Sequence, residues 1–355
     1  MNATTKLMVV GIDLAKDVFQ LHWVDPETGE IQRKKMSRSK LKNFFVNRQP
    51  CLIGMEACGG AHYWAREFIK LGHEVKLMPG VDVKAFNQGN KSDARDAEAI
   101  WLATQVNSPR KVAVKTEEQQ AILALHRIRE VKIKQRTATI NQLRGLLSEF
   151  GFVMPKGHRA LREGLKEVLP QFEKLVPKML LIRITDQWEE VDRLTAQIKS
   201  IEKDLATWSQ TNPDSERLRE VPGVGLITAT AVVATIGDAK AFKNGRQLAA
   251  FLGVAPAHTG SGGKIQILGM SKRGDTYVRK LLIHGARSVV CFCKKPPSIV
   301  ERLKSKRHVN VVTGAIANRL CRIMWSLMKH QTKYNDNYEH ISSRVTHNFS
   351  EASAH

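Results

Sequence analysis

Leu7-Met-Val-Val-Gly-Ile-Asp13 decides the reading of the first third of the chain. Six uncharged residues form an almost unbroken apolar run, the pattern of a strand covered on both faces, and a carboxylate follows where the strand ends. Working outward, Val18 to Val24 alternates, and a turn at Asp25-Pro-Glu-Thr-Gly29 leads into Ile31 to Met36, so the first three strands read as an antiparallel meander. Ser39 to Arg48 reads as a short helix, Leu52 to Glu56 as a fourth strand and Ala61 to Leu71 as a helix. Glu74 to Met78 is a fifth strand closed by Pro79-Gly80, and Ser92 to Gln105 is strongly helical. Strands alternating with helices predict an α/β domain over residues 1–110.

Residues 111–212 change character. Leu181, Ile184, Trp188, Val191, Leu194, Ile198, Ile201, Leu205 and Trp208 recur at spacings of three and four, a seam sustained over about four heptads. The segment reads as a helical coiled-coil arm. Its seam closes against Glu118 to Phe150 as a hairpin or against another protomer, the alternative being a helix inside one compact domain. Gly151 to Pro177, with prolines at 155, 170 and 177, reads as an irregular tip.

From residue 213 to 333 the chain predicts a mainly α, strongly basic domain. Residues 241–333 hold 18 Lys and Arg against only Asp275 and Glu301. The whole chain has 355 residues and a formal charge of +22, which favours a polyanionic partner, nucleic acid first. Residues 334–355 are polar and expected to be poorly ordered. With 42% hydrophobic and 25% charged residues the chain is an ordinary folding sequence. No apolar run reaches the ~18 residues of a membrane span, no signal peptide is apparent, and five irregularly spaced cysteines argue against a disulfide framework. The expectation is a soluble protein of the cytoplasm, associated with the nucleoid, without structural zinc.

Four carboxylates stand out. Asp13 and Glu56 each end an apolar strand, and Asp93 and Asp96, three apart on one helix, share a face. Converging carboxylates repel unless a cation is present, and hard oxygen donors suit Mg²⁺ or Mn²⁺, which can support phosphodiester chemistry. Each acid also has a plain reading as a cap or a solvated group, Asp93 above all, since Ser92-Asp93 also reads as a helix start.

Three further motifs lie in the basic third. Gly260-Ser-Gly-Gly-Lys264 reads as a flexible loop that presents the Ser261 hydroxyl amid backbone N–H groups and Lys264, an arrangement suited to phosphate, or as an ordinary turn. Lys272, Arg273 and Arg279 follow as clamps for a phosphoryl group or as contacts to a nucleic-acid backbone, while His284 reads as a core histidine, the alternative being an acid/base group. Val221-Pro-Gly-Val-Gly225 ahead of a small-residue helix, Leu226 to Ile236, reads as a helix-hairpin-helix in which Gly223 and Gly225 expose amides to a phosphate, or as a tight turn between packed helices.

These motifs, in this order, resemble the insertion-sequence transposases that join an Asp-Glu-Asp-Asp, RuvC-like domain of RNase H fold to a carboxyl-terminal transposase domain with a catalytic serine. The related pilin-gene DNA invertases share the plan. The resemblance runs from about residue 7 to 330 on Gly11-Ile-Asp13, Gly54-Met-Glu56-Ala-Cys, Lys91-Ser-Asp93-Ala-Arg-Asp96-Ala, Val221-Pro-Gly-Val-Gly225, Ser261-Gly-Gly-Lys264 and Ser271-Lys-Arg-Gly-Asp275. It implies that Asp13, Glu56, Asp93 and Asp96 hold a divalent metal and that Ser261 becomes covalently joined to DNA. The family typically has Ser-Ser-Gly-Gly-Lys here; with Gly260 in the first place, Ser261 serves unless Thr259 substitutes. The resemblance also implies a structured non-coding bridge RNA that pairs with target and donor DNA, dimers through the arm, and tetramers whose active sites join the acidic domain of one protomer to the serine domain of another. Two other functions fit the residues: a metal-dependent nuclease resembling junction resolvases, with Ser261 a mere loop residue, and a non-catalytic nucleic-acid-binding scaffold.

Overall fold

The computed structural model describes residues 7–87, 93–106, 111–261 and 264–335; the side chains of Asp93, Ser261, Lys264 and Ile265 lie outside that description. The chain divides into two compact units, Met1–Glu118 and Gln119–His355.

The first unit is a mixed α/β domain built on a five-stranded sheet. Its elements are β1 (Met8–Asp13), β2 (Val18–Val24), β3 (Ile31–Ser37), α1 (Arg38–Val46), β4 (Cys51–Glu56), α2 (Ala61–Lys70), β5 (Glu74–Met78), α3 (Gly80–Lys84) and α4 (Asp93–Gln105). The sheet order is β3-β2-β1-β4-β5, with β1–β2 and β2–β3 antiparallel and β1–β4 and β4–β5 parallel, so the meander predicted for the first three strands is present. This arrangement is compatible with an RNase H-like domain.

The apolar run of β1 is explained by burial on two sides. Val10 and Ile12 join Phe19, Leu21, Trp64 and Phe68 in one core, while Gly11 and His22, paired across β1 and β2, face α4. Beyond α4, Val112 donates its N–H to Leu77 O at 3.0 Å, and Val112 and Val114 pack on the same core, so this stretch adds to the sheet's edge.

The second unit is mainly helical: α5 (Glu117–Glu149), α6 (His158–Phe172), α7 (Lys178–Thr211), α8 (Pro213–Arg219), α9 (Leu226–Ile236), α10 (Gly245–Phe251), then a hairpin of β6 (Pro256–Ser261) and β7 (Lys264–Met270), and α11 (Thr276–Phe292), α12 (Ser298–Lys304) and α13 (Val309–His330). The seam of α7 is filled from its own chain. Ile184 and Val191 pack with Ile140, Leu143 and Leu147 of α5, and Ile201 and Leu205 pack with Ile122. Rungs from Arg129 to Glu202, Lys132 to Gln197 and Arg136 to Thr195 show that the pair is antiparallel. A second protomer docked on the arm would therefore use a face other than this seam.

Two expectations are corrected. The stretch from Gly151 to Pro177 is not irregular, because α6 occupies most of it and buries Leu161, Leu165 and Phe172 against α5 and α7. Pro170 falls in its last turn, where it leaves the Lys166 carbonyl without its i→i−4 donor, and the helix ends two residues later. The segment around Ser261 is not a loop but a β-hairpin, in which Ser261 pairs with Lys264 across the two glycines at 262 and 263.

Candidate catalytic centre and nucleic-acid interface

The parallel register of β1 and β4 runs to the pair Ile12–Met55, so Asp13 and Glu56 leave neighbouring strands at the same level. Gly80, the first residue of α3, gives Glu56 its room: a Cβ there would stand 2.2 Å from Glu56 Oε1. The charges of both carboxylates act on Cys58, whose thiol is pushed up by burial first, then by the charge of Glu56, with Asp13 adding to it.

Helix α4 lies close over this part of the sheet because Gly11 and Gly54 have no side chains. A Cβ at Gly11 would lie 2.5 Å from Ala97 O, and one at Gly54 would lie 1.7 Å from Thr104 Oγ1, which itself donates to Ile100 O at 2.6 Å. Asp96, one turn into α4, accepts from Asn87 Nδ2 at 2.5 Å. Asp93 begins α4, and its side chain lies outside the described residues, as do Lys91 and Ser92.

The structure thus brings Asp13 and Glu56 together and holds Asp96 through Asn87. Among the described residues no group of three or more His, Cys, Asp or Glu is gathered as a metal site. The donor chemistry still fits a hard divalent cation, since paired carboxylate oxygens are what such ions take. Gly80 and Asn87 are contributors that spacing alone does not reveal; Gly80 carried a signal, the Pro79-Gly80 pair closing β5.

In the second unit the loop after β7 is tied to the end of α10. Ser271 donates its N–H to Ala255 O at 2.9 Å and Lys272 to Gly253 O at 3.2 Å, with Lys272 in the left-handed region at φ 54°. Gly253 permits this contact, because a Cβ there would be 1.7 Å from Arg273 O. Asp275 caps α11 by accepting from Val278 N at 2.9 Å, and Lys272 and Arg273 stand exposed ahead of it. Arg279 folds back, donating to Thr276 Oγ1 at 3.2 Å. His284 is exposed on α11, a correction to the expected core position; its helical neighbours Lys280, Arg287 and Ser288 form a polar face.

The turn between α8 and α9 buries Val221 and Val224. Its two glycines differ in kind. Gly223, at φ 85°, touches α11 so closely that a Cβ would lie 2.7 Å from Gly285 O, whereas a Cβ at Gly225, the residue before α9, would meet nothing within 4 Å. Packing accounts for the first glycine; the second faces open space.

One buried network escaped the sequence reading. Thr230 gives its hydroxyl proton to Leu226 O at 2.8 Å, so its oxygen accepts from His126 Nε2 at 3.0 Å, and His126 Nδ1 accepts from the Tyr277 hydroxyl at 3.0 Å. Burial, aided by the Arg129 charge, lowers the His126 pKa to about 4 and keeps the ring neutral. It links α5, α9 and α11, three elements whose meeting no local pattern predicts.

Residues 10–152 match a family model described as transposase, and residues 215–300 match one described as transposase of the IS116/IS110/IS902 family. The chain is 42% identical over 330 residues to a probable family 20 transposase of Pseudomonas aeruginosa, covering 92% of this chain and 98% of that one. This chain belongs to the IS110/IS116 family of transposases. It is also 37% identical to the transposase for insertion sequence element IS1111A of Coxiella burnetii, over 92% of this chain and 91% of that one. With the transposase for insertion sequence element IS1328 of Yersinia enterocolitica it shares 36% identity over 89% and 95%. The transposase is an enzyme of DNA transposition, and none of its described helices is long and apolar enough to cross a membrane.

Proposed function

We propose that this transposase cuts and rejoins DNA during insertion and excision of its element through a phosphoserine link made by Ser261. The observation that carries the acidic half of this reading is the level exit of Asp13 and Glu56 from neighbouring parallel strands, with α4, which bears Asp93 and Asp96, lying on the paired glycines beside them. Those four carboxylates would hold Mg²⁺ or Mn²⁺, which when bound offsets charge on the phosphoryl oxygens.

Ser261 loses its proton as its oxygen bonds to phosphorus; the bond from phosphorus to a deoxyribose oxygen breaks, and that oxygen takes up a proton. Each link conserves the phosphodiester for rejoining. Lys264, Lys272, Arg273 and Arg279 offset phosphate charge, and Gly223 and Gly225 belong to a turn that meets the DNA backbone. The hairpin supports this assignment by pairing Ser261 with Lys264 across β6 and β7.

Within the same reading, residues 1–110 form the acidic catalytic domain, 111–212 the arm, 213–333 the serine domain and 334–355 a tail. A structured bridge RNA supplies sequence choice and the chain works as a tetramer; the net charge of +22 suits an RNA as well as a DNA partner.

The test incubates the full chain with element-end DNA, the flanking transcript and Mg²⁺, followed by denaturing gels and mass spectrometry. A DNA adduct on the peptide containing Ser261, lost in Ser261→Ala while DNA binding persists, is the expected result. Cleavage without an adduct would replace it with metal-dependent hydrolysis.

A further inference from the structure

Helix α13 lies beyond both family-matched segments and carries chemistry that the transposition reading leaves unused. Arg319, Arg322, Ser326 and His330 follow one another at spacings of three, four and four, so they form one stripe along the helix. A cleft of about 650 Å³ opens on that stripe, with Lys333 at its end and Ile323, Leu327 and Tyr334 as its apolar wall. A second cleft, of about 330 Å³, shares Arg322 and Ser326 and adds Arg246 and Trp325.

The walls are fixed by contacts that face away from any ligand role. α10 seats on α13 because a Cβ at Gly245 would be 2.8 Å from the Arg322 Cα. Trp325 Nε1 donates to Phe242 O at 3.2 Å, so the ring is held and offers carbon surface, while Lys329 stands 4.7 Å from its centroid. Glu220 accepts the Tyr334 N–H at 3.1 Å and fixes the chain at the end of α13. Among the described residues that line the two clefts there is no Asp or Glu.

A concave row of cations beside aliphatic and aromatic surface matches a phosphodiester and a bare base together. In a duplex the base faces are stacked away, and the apolar wall would have nothing to receive. The volume falls in the ~300–1,000 Å³ range of ligand pockets. We propose that the larger cleft, along α13 and the residues that follow it, binds unpaired nucleotides of a nucleic-acid strand, phosphate on Arg319, Arg322 and Lys333 and base against Ile323, Leu327 and Tyr334. The site does not rest on the serine chemistry, and the Ser261→Ala chain is expected to bind equally well.

The experiment measures binding of labelled oligothymidylate, oligouridylate and a mixed-sequence duplex to the full chain at one salt concentration. Two variants probe the cleft: Arg322→Glu reverses a charge, and Ser326→Trp fills the space; each is checked for an unchanged melting curve. Single-strand affinity is expected to fall about tenfold or more in each folded variant, with duplex affinity nearly unchanged. A strand carrying a photoreactive uracil is expected to crosslink to the peptide of Trp325 or Tyr334. Preference for oligouridylate would assign the cleft to RNA, and preference for oligothymidylate to DNA. Unchanged single-strand binding without a crosslink would overturn the proposal, as would equal losses for duplex and single strand, which would make these cations part of a general backbone surface.

Discussion

Gly11 and Gly54 are register partners across β1 and β4, and a methyl group on either would lie inside the volume held by α4. At Gly11 the obstacle is helix backbone, which cannot rotate away. Gly11→Ala is expected to destabilise the protein by about 1–3 kcal/mol through overpacking, read by denaturant unfolding. Gly59→Ala, where a Cβ meets nothing within 4 Å, is the matched control and should leave the midpoint in place.

Gly80 tests the position of Glu56 without altering the carboxylate itself. Gly80→Ala sets a Cβ against Oε1, and the flexible side chain can swing aside, so folding persists while the acid moves. Metal-dependent activity should drop by about 10- to 100-fold, with Asp13→Asn and Glu56→Gln as the fully inactive references. Full activity in Gly80→Ala would mean that this placement of Glu56 is not the working one.

The His126 network predicts a pH dependence of known sign. The folded ring titrates at about 4 against 6.5 for an exposed histidine, so the unfolded chain binds the proton first as pH falls. Stability therefore declines from about pH 6.5 to 4, by an increment on the order of 3 kcal/mol, and is intact above that window. His22, also buried and also lowered by burial, adds in the same direction. His126→Gln should flatten the dependence when unfolding is followed at several pH values; an unchanged slope would exclude His126 as its source.

Gly223 and Gly225 are separable by substitution. Gly285→Ala, which drives a Cβ to 2.0 Å from Gly223 O, should cost about 1–3 kcal/mol of stability by forcing α11 from the turn. Gly225→Asp should leave the fold intact, since its φ of −85° and open surroundings accept a side chain, yet weaken duplex binding by adding a negative charge at the turn. Unaltered duplex affinity would return the turn to a purely structural role.

Much of the sheet was legible because its strands are short and well punctuated. β2 and β5 follow their alternation and turns, and β1 follows its two-sided apolar run. The acids at strand ends could be seen for the same reason, since a strand's last residue is set by local pattern. What holds them could not. Asn87 meets Asp96, and Gly80 meets Glu56, through contacts that local pattern does not encode. The α7 seam was readable from spacing, but α6 was masked by three prolines and the hairpin by glycines that mark a turn and a loop equally. His284 misled because Leu281, Leu282 and Ile283 precede it, although burial on a helix follows neighbours three and four residues away.

The hydrogen bonds of His126 sit near the root of α5, and 23 residues of the same helix run on from it to Glu149. At 1.5 Å per residue that is a lever of roughly 35 Å, so a tilt of about 10° at the root displaces the far end by about 6 Å. An imidazole and two hydroxyls therefore act, together with the packing of α7 along the helix, on the aim of a distant surface.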